Sequence, residues 1–233
     1  MYFIFKNINS INKTGLIVTS LPPITKPPKR TETIDIEGRD GDIVIEHGYE
    51  AYDKTIEIGL TKNYDIDDII SWLDGSGDLI MSNESDKVYK ARIIKQIDFE
   101  RLLVFKTASV TFHVQPYKYK YDEDDVSATS SQISSKSMTV TNRGNVSSKP
   151  LIRLTGSGTV TFKLNGADLF TYTFPSDDTY VDIDSEEQDA YVSFAKKNRN
   201  MNGNFPVLNV GSNTISWTGT ITAVKVTPRS RWL

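Results

Sequence analysis

From Met138 to the C-terminus, eight short runs with two-residue alternation follow one another, separated by little more than turn residues. They are PLIRL, GTVTFKLN, LFTYTF, TYVDID, AYVSFA, FPVLNV, NTISW and TITAVKV. Alternation sends successive side chains to opposite faces of a strand, and none of these runs has the three-and-four spacing of a helix. Between two of them, Asn165-Gly166 supplies the residue pair that a two-residue hairpin turn favours. Many short strands at close intervals predict a β-sandwich or jelly roll over residues 138–233.

The N-terminal half is also strand-rich. In ASVTFHVQ, Val110, Phe112 and Val114 point one way and Thr111, His113 and Gln115 the other. VYKARIIKQI and DKTIEIGL read as further strands. The one clear helix signal is DIDDIISWLDG, where Ile66, Ile69, Ile70 and Leu73 form an apolar stripe. Asp65 is its predicted N-cap and Gly75 its left-handed stop. The predicted fold class is therefore mainly β, with an N-terminal β-rich domain carrying one α-helix and a C-terminal β-sandwich.

A compositional break falls at YDEDDVSATSSQISSKSM, which has four consecutive acids, Asp122 to Asp125, and then serine-rich sequence. The expected organisation is a first domain over 1–121, an acidic, serine-rich linker over 122–137, and a second domain over 138–233.

Several function classes are excluded early. The chain has no cysteine, which removes disulfides, thiolate nucleophiles and Cys-ligated zinc. Its formal net charge is −3, with no Lys/Arg-rich block of the kind a nucleic-acid footprint needs. The opening MYFIFKNINS has neither a basic segment nor an apolar run of signal-peptide length, and no stretch approaches a membrane span. No export signal and no membrane partner are expected.

TYVDIDSEEQDAYV gathers five carboxylates, Asp182, Asp184, Glu186, Glu187 and Asp189. Alternation with Val181 and Ile183 places Asp182 and Asp184 on the water side, with SEEQD as an exposed turn. Solvated carboxylates stay ionised, whereas acid–base catalysis needs two groups whose surroundings push their pKa values apart. No glycosidase pair is expected. As an EF-hand loop the stretch fails, because Glu187 stands where glycine is required and Ser193 where the bidentate glutamate belongs. His47 and His113 lie on separate segments without companions at metal-ligand spacing. No catalytic residue, metal or cofactor is predicted. DGSGD and TGSGT read as turns, and Trp217 as core.

Two segments are candidates for assembly contacts. LPPITKPPKR, with Pro22, Pro23, Pro27 and Pro28, is an extended arm, since proline cannot continue a central ladder. Gly38, Arg39, Asp40 and Gly41 form a tight turn, because the paired glycines allow positive φ. Hairpin geometry alone accounts equally well for that turn.

These features fall in an order that resembles the distal tail (Dit) proteins of long, non-contractile-tailed bacteriophages. The resemblance is carried in the first half by the Pro-Pro pairs, IEGRDGDIVIE, DIDDIISWLDGSGDLIMS, VYKARI and VTFHVQPYKY. In the second half it is carried by VTNRGNVSSKPLIRLTGSGTVTFKLNG, VDIDSEEQDAY, GNFPVLNVGSNTISWTG and VTPRSRWL. It implies a structural baseplate and tail-tip hub protein of the virion, assembled in the host cytoplasm. It further implies a homohexameric ring built by the N-terminal domain, joining the tail tube protein to the tail-tip, tail-associated lysin protein. DNA would pass through its lumen without specific binding. The C-terminal domain would be galectin-like and project outward, where receptor-binding or peripheral baseplate proteins attach. The alternative is a host cell-wall carbohydrate-binding, lectin-like module using exposed aromatics, with Tyr180, Tyr191 and Trp232 as candidates.

Overall fold

A computed structural model describes residues 1–38 and 40–233, with the side chain of Glu100 outside the description. The chain divides into two compact units, Met1–Tyr121 with Leu233, and Asp122–Trp232. Both are mainly β, as the alternation predicts.

The first unit contains β1 (Phe3–Phe5), β2 (Ile8–Asn9), β3 (Leu16–Ser20), β4 (Lys29–Asp35), β5 (Asp42–Tyr49) and β6 (Tyr52–Leu60). It continues with α1 (Ile66–Trp72), β7 (Ser76–Met81), β8 (Lys87–Ile93), α2 (Phe99–Phe105) and β9 (Thr107–Lys120). An antiparallel sheet runs in the order β2-β1-β7-β8-β9-β6-β3. One face of it carries Ile56, Ile58, Val110, Phe112 and Val114 into a core that also holds Phe3, Phe5, Ile69 and Trp72. Phe3 stacks on Trp72 at 5.1 Å, and the indole Nε1 of Trp72 donates to the carbonyl of Phe5 at 3.0 Å. The polar atom of the largest core residue is thus satisfied by strand β1 of the same sheet.

Asp65 caps α1 as predicted, its side chain accepting from the amide of Asp68 at 3.1 Å. Its buried stripe is rotated from the expected one. Ile69, Trp72 and Leu73 are buried while Ile70 is exposed. Trp72 offers more apolar area than an isoleucine, and at about 100° per residue the two-residue step from Ile70 puts it on nearly the opposite side of the helix. The helix passes into Leu73 as its C-cap, and Gly75, two residues on, takes φ +73°.

The expectation of a single helix needs correction. α2 also forms, with Asp98 as N-cap accepting from the amide of Arg101 at 2.7 Å. Leu102 is buried, whereas Leu103, Val104 and Phe105 are exposed. A helix with apolar side chains all round gives no amphipathic stripe, so periodicity does not reveal it.

The second unit contains β10 (Val126–Ser127), α3 (Ser130–Ser135), β11 (Ser137–Asn142), β12 (Leu151–Leu164), β13 (Ala167–Thr173) and β14 (Tyr180–Asp184). β15 (Asp189–Val192), β16 (Ala195–Lys196), β17 (Met201–Gly203), β18 (Gly211–Thr227) and the two-residue β19 (Arg231–Trp232) follow. The segment expected as a linker, 122–137, is structured within this unit. β10 pairs with β18, and α3 closes a capping box between Thr129 and Gln132. Val126, Ala128 and Ile133, thinly spread among acids and serines, pack against the core.

Two long strands build both layers of the sandwich. The first halves of β12 and the last of β18 pair at Leu151–Ser157 and Thr220–Thr227, flanked by β14 and β10. Their other halves pair at Thr161–Leu164 with Ile215–Thr218, flanked by β13 and β11. Register shifts fall between Thr155 and Thr161. TGSGT is therefore not a turn between two strands, as the sequence suggested, but a corner inside one. There Gly219 has φ +86°, and a Cβ on it would stand 2.5 Å from the carbonyl oxygen of Thr159. Ile152, Leu154, Phe162, Tyr172, Val181, Ile183, Ile215 and Trp217 fill the space between the layers. Asn165 and Gly166 both take positive φ, the signature of the predicted hairpin turn.

Candidate functional site

The acidic stretch behaves differently from its predicted solvated face. Asp182 and Asp184 are each only 5 % exposed. Alternation puts them on the sheet face opposite Val181 and Ile183, but long neighbouring side chains cover them there. Arg153, directly across the β12–β14 register, binds Asp182 through Nε and Nη2, both at 2.7 Å. Its guanidinium also lies 4.7 Å from the ring centre of Tyr180. Arg229 binds Asp184 with two nitrogens, and the amides of Glu186 and Glu187 donate to the same carboxylate. Burial pushes the pKa of Asp184 up, but the Arg229 and backbone hydrogen bonds outweigh it and leave it below the usual carboxylate range.

Both carboxylates are thus occupied by bidentate guanidinium pairs, which fix the β12–β14 pairing and the turn after it. A general acid needs a proton to give, and Asp184 is held in the opposite state. Tyr180 and Tyr191 flank these pairs half-buried, and Trp232 is half-buried as well. The most exposed aromatic of the unit is Phe194, at the β15–β16 turn, where sequence reading had no reason to look.

His47 lies on β5, 3.2 Å from Glu32, and His113 on β9, 2.9 Å from Asp53. Among the described residues no group of three or more His, Cys, Asp or Glu could hold a metal ion.

The assembly candidates sit on one continuous piece of the first unit. Pro22 and Pro27 are buried, Pro23 and Pro28 exposed. The carbonyl of Pro22 accepts from Asn83 Nδ2, and that of Pro23 from Lys54 Nζ, each at 3.0 Å. Lys54 is 2 % exposed, with the rings of Tyr52 and Tyr89 at 5.4 and 5.2 Å. Burial drives its pKa down, against the attraction of Glu84. Glu84 is meanwhile held by Lys118 at 2.6 Å and by the hydroxyl of Tyr89. This buried cluster pins the start of the proline arm.

At its far end the arm enters β4, which pairs only with β5 to make a two-stranded ribbon. Gly38 and Gly41, at φ +81° and +78°, form its tip with an exposed Asp40, and Arg39 lies outside the described residues. Every residue of β4 is exposed. Opposed pairs share a face, so Ile34 and Ile43, with Glu32 and Ile45, stand on one side of the ribbon. Ile34 and Ile45 are exposed there, and Val44 on the other side. In sequence this piece shows only an extended arm and a tight turn; among the described residues β4 and β5 pair with no other strand.

Exposed apolar side chains are unevenly distributed. In the second unit they are Phe194, Val207 and Val210. Every other exposed large apolar side chain among the described residues belongs to the first unit, including Ile34, Ile36, Val44 and Ile45 on the ribbon and Leu103, Val104 and Phe105 on α2.

Residues 6–114 match the family of the phage tail protein RIFT-related domain. No curated protein matches the sequence. Among solved structures, the chain is similar to the SPP1 Dit (gp 19.1) protein, described as a paradigm of the hub adsorption apparatus in Gram-positive infecting phages. The identity is 13 %, over 97 % of this chain and 96 % of that one, with a TM-score of 0.73. A chain of the phage P2 baseplate in its activated conformation with Ca is 8 % identical over the same shares, with a TM-score of 0.51. At these identities the likeness is one of fold.

Proposed function

We propose that this chain, a siphophage distal tail protein by its N-terminal tail domain and its overall fold, is the structural hub of a tail tip and closes into a homohexameric ring. The ring joins the tail tube protein to the tail-tip, tail-associated lysin protein, and its lumen lets DNA pass without specific binding. The first unit makes the ring, and the second offers a platform for receptor-binding or other peripheral baseplate proteins. The protein acts in the virion, after assembly in the host cytoplasm, and transforms no substrate.

The observation that carries this reading is the β4–β5 ribbon, which pairs with no other strand among the described residues and leaves Ile34 and Ile45 exposed on one face. A two-stranded ribbon is marginal alone in water, and its unpaired edges invite addition of another chain. A ribbon and a different receiving surface on the same subunit make a heterologous contact, which closes when the subunit rotation divides the circle. The excess of acids, with a net charge of −3, suits a channel along which DNA slides rather than sticks.

The test is electron microscopy with light scattering on the concentrated protein, alone and with its tube and tip partners. Six copies of the 26.2 kDa chain give a ring of about 157 kDa with a central hole. Lone subunits at every concentration, with partners present, refute the reading.

A further inference from the structure

Two Asn-Gly pairs occur in the chain, Asn165-Gly166 and Asn202-Gly203, and the fold treats them oppositely. Asn165 is clamped at both ends of its carboxamide. Its Nδ2 donates to Asn213 Oδ1 at 3.1 Å, and its Oδ1 accepts from the amide of Thr214 at 2.9 Å. Its own amide donates to the carbonyl of Thr214 at 2.8 Å. The side chain of Asn202 is exposed and hydrogen-bonds to none of the described residues.

Asn202 lies on β17, three residues that pair only with β13 at an edge of the sheet. The amide of Phe174 donates to the carbonyl of Gly158, so by alternation Tyr172 and Phe170 direct their backbone groups to β12. The amide of Asn204 donates to the carbonyl of Leu169, which sets the same phase from the β17 side. Gly203, opposite Phe170, therefore turns its N–H away from β13 to the open edge. Glycine is needed there, because at φ +120° a Cβ would stand 2.4 Å from the carbonyl oxygen of Leu169. The packing that demands Gly203 thus sets an unencumbered amide nitrogen beside an unheld carboxamide.

We infer that Asn202 is a site of spontaneous deamidation, from which Asn165 is protected. The Gly203 nitrogen gives its proton to solvent base and attacks Asn202 Cγ. The bond from Cγ to the side-chain nitrogen breaks, and ammonia leaves. Water then opens the succinimide at either carbonyl, giving aspartate or isoaspartate. Both products add a negative charge to the edge strand. Isoaspartate also leads the main chain through an extra methylene, so the register of β17 on β13 is lost. The attack needs rotation about ψ of Asn202, which local opening of a three-residue edge strand permits.

The test is peptide mass spectrometry on the full chain, incubated in mildly alkaline buffer with and without urea. Conversion at each asparagine is read as a gain of about 1 Da. Protection is the rate in urea divided by the rate in the folded chain. It is expected to be at least about tenfold greater at Asn165 than at Asn202. Equal protection at the two sites, or greater protection at Asn202, overturns the inference. In parallel, hydrogen exchange over residues 201–204 should rise as the native chain ages and stay constant in Asn202→Gln. Unchanged exchange in a chain that has converted overturns the loss of β17 pairing. Neither readout involves ring assembly.

Discussion

Arg229 grips Asp184 with both terminal nitrogens, Nη1 to Oδ1 at 2.7 Å and Nη2 to Oδ2 at 2.8 Å. The carboxylate is nearly buried and the guanidinium about a quarter exposed. Removing one partner leaves the other desolvated and unpaired, whereas removing both leaves no orphan charge. Asp184→Asn is expected to cost about 2–4 kcal/mol in urea unfolding of the second unit. The double change Asp184→Leu with Arg229→Met should cost clearly less than Asp184→Asn. A double variant as damaged as the single contradicts the pair's role.

The same pair sets a pH dependence. The folded-state pKa of Asp184 is depressed, so the unfolded chain takes up the proton first on acidification. Its stabilisation is complete above the unfolded value of about 3.9 and is lost as pH falls through the lower folded value. The Tm difference between the native chain and Asp184→Asn should thus be full at pH 7 and shrink below about pH 4. A difference constant to pH 3 speaks against it.

Lys54 holds the proline arm through the carbonyl of Pro23. Lys54→Met relieves a buried charge but frees that carbonyl, so the two effects offset in global stability, within about 1 kcal/mol. Locally they do not offset. Hydrogen exchange over residues 20–28 should rise by about tenfold. Unchanged exchange there removes Lys54 as the anchor.

The sandwich corner separates two kinds of glycine. At Gly219 a Cβ meets the Thr159 carbonyl at 2.5 Å, and at Gly156 it meets that of Thr220 at 2.3 Å. Alanine at either position should cost more than about 2 kcal/mol, since backbone must move. Gly158 has φ +68° with open space around it, so Gly158→Ala should cost about 1 kcal/mol from conformation alone. Equal costs at all three positions, measured by denaturant unfolding, contradict the corner.

Much of the fold was legible in short-range pattern. Val110, Phe112 and Val114 alternate in sequence and all reach the core. Asp65 caps where a capping residue precedes an apolar stripe, and Asn165-Gly166 turns where only positive φ suffices. These are local decisions, fixed by backbone sterics and by side-chain period. The candidate site was far less legible. The proline arm and the Gly38–Gly41 turn were visible as punctuation, but their joining into one anchored arm and ribbon depends on Lys54 and Asn83, which lie far away in sequence.

Sequence by itself determined that this chain is built of strands, where most of them turn, and which side of each strand is apolar. Tertiary structure alone decided what covers each side. It brought Arg153 and Arg229 over Asp182 and Asp184, turning a presumed wet face into buried ion pairs, and it left Ile34, Ile45, Val104 and Phe105 without cover. Periodicity reports the direction of a side chain, because that is set within two or three residues. Burial and pairing are set by partners dozens of residues away.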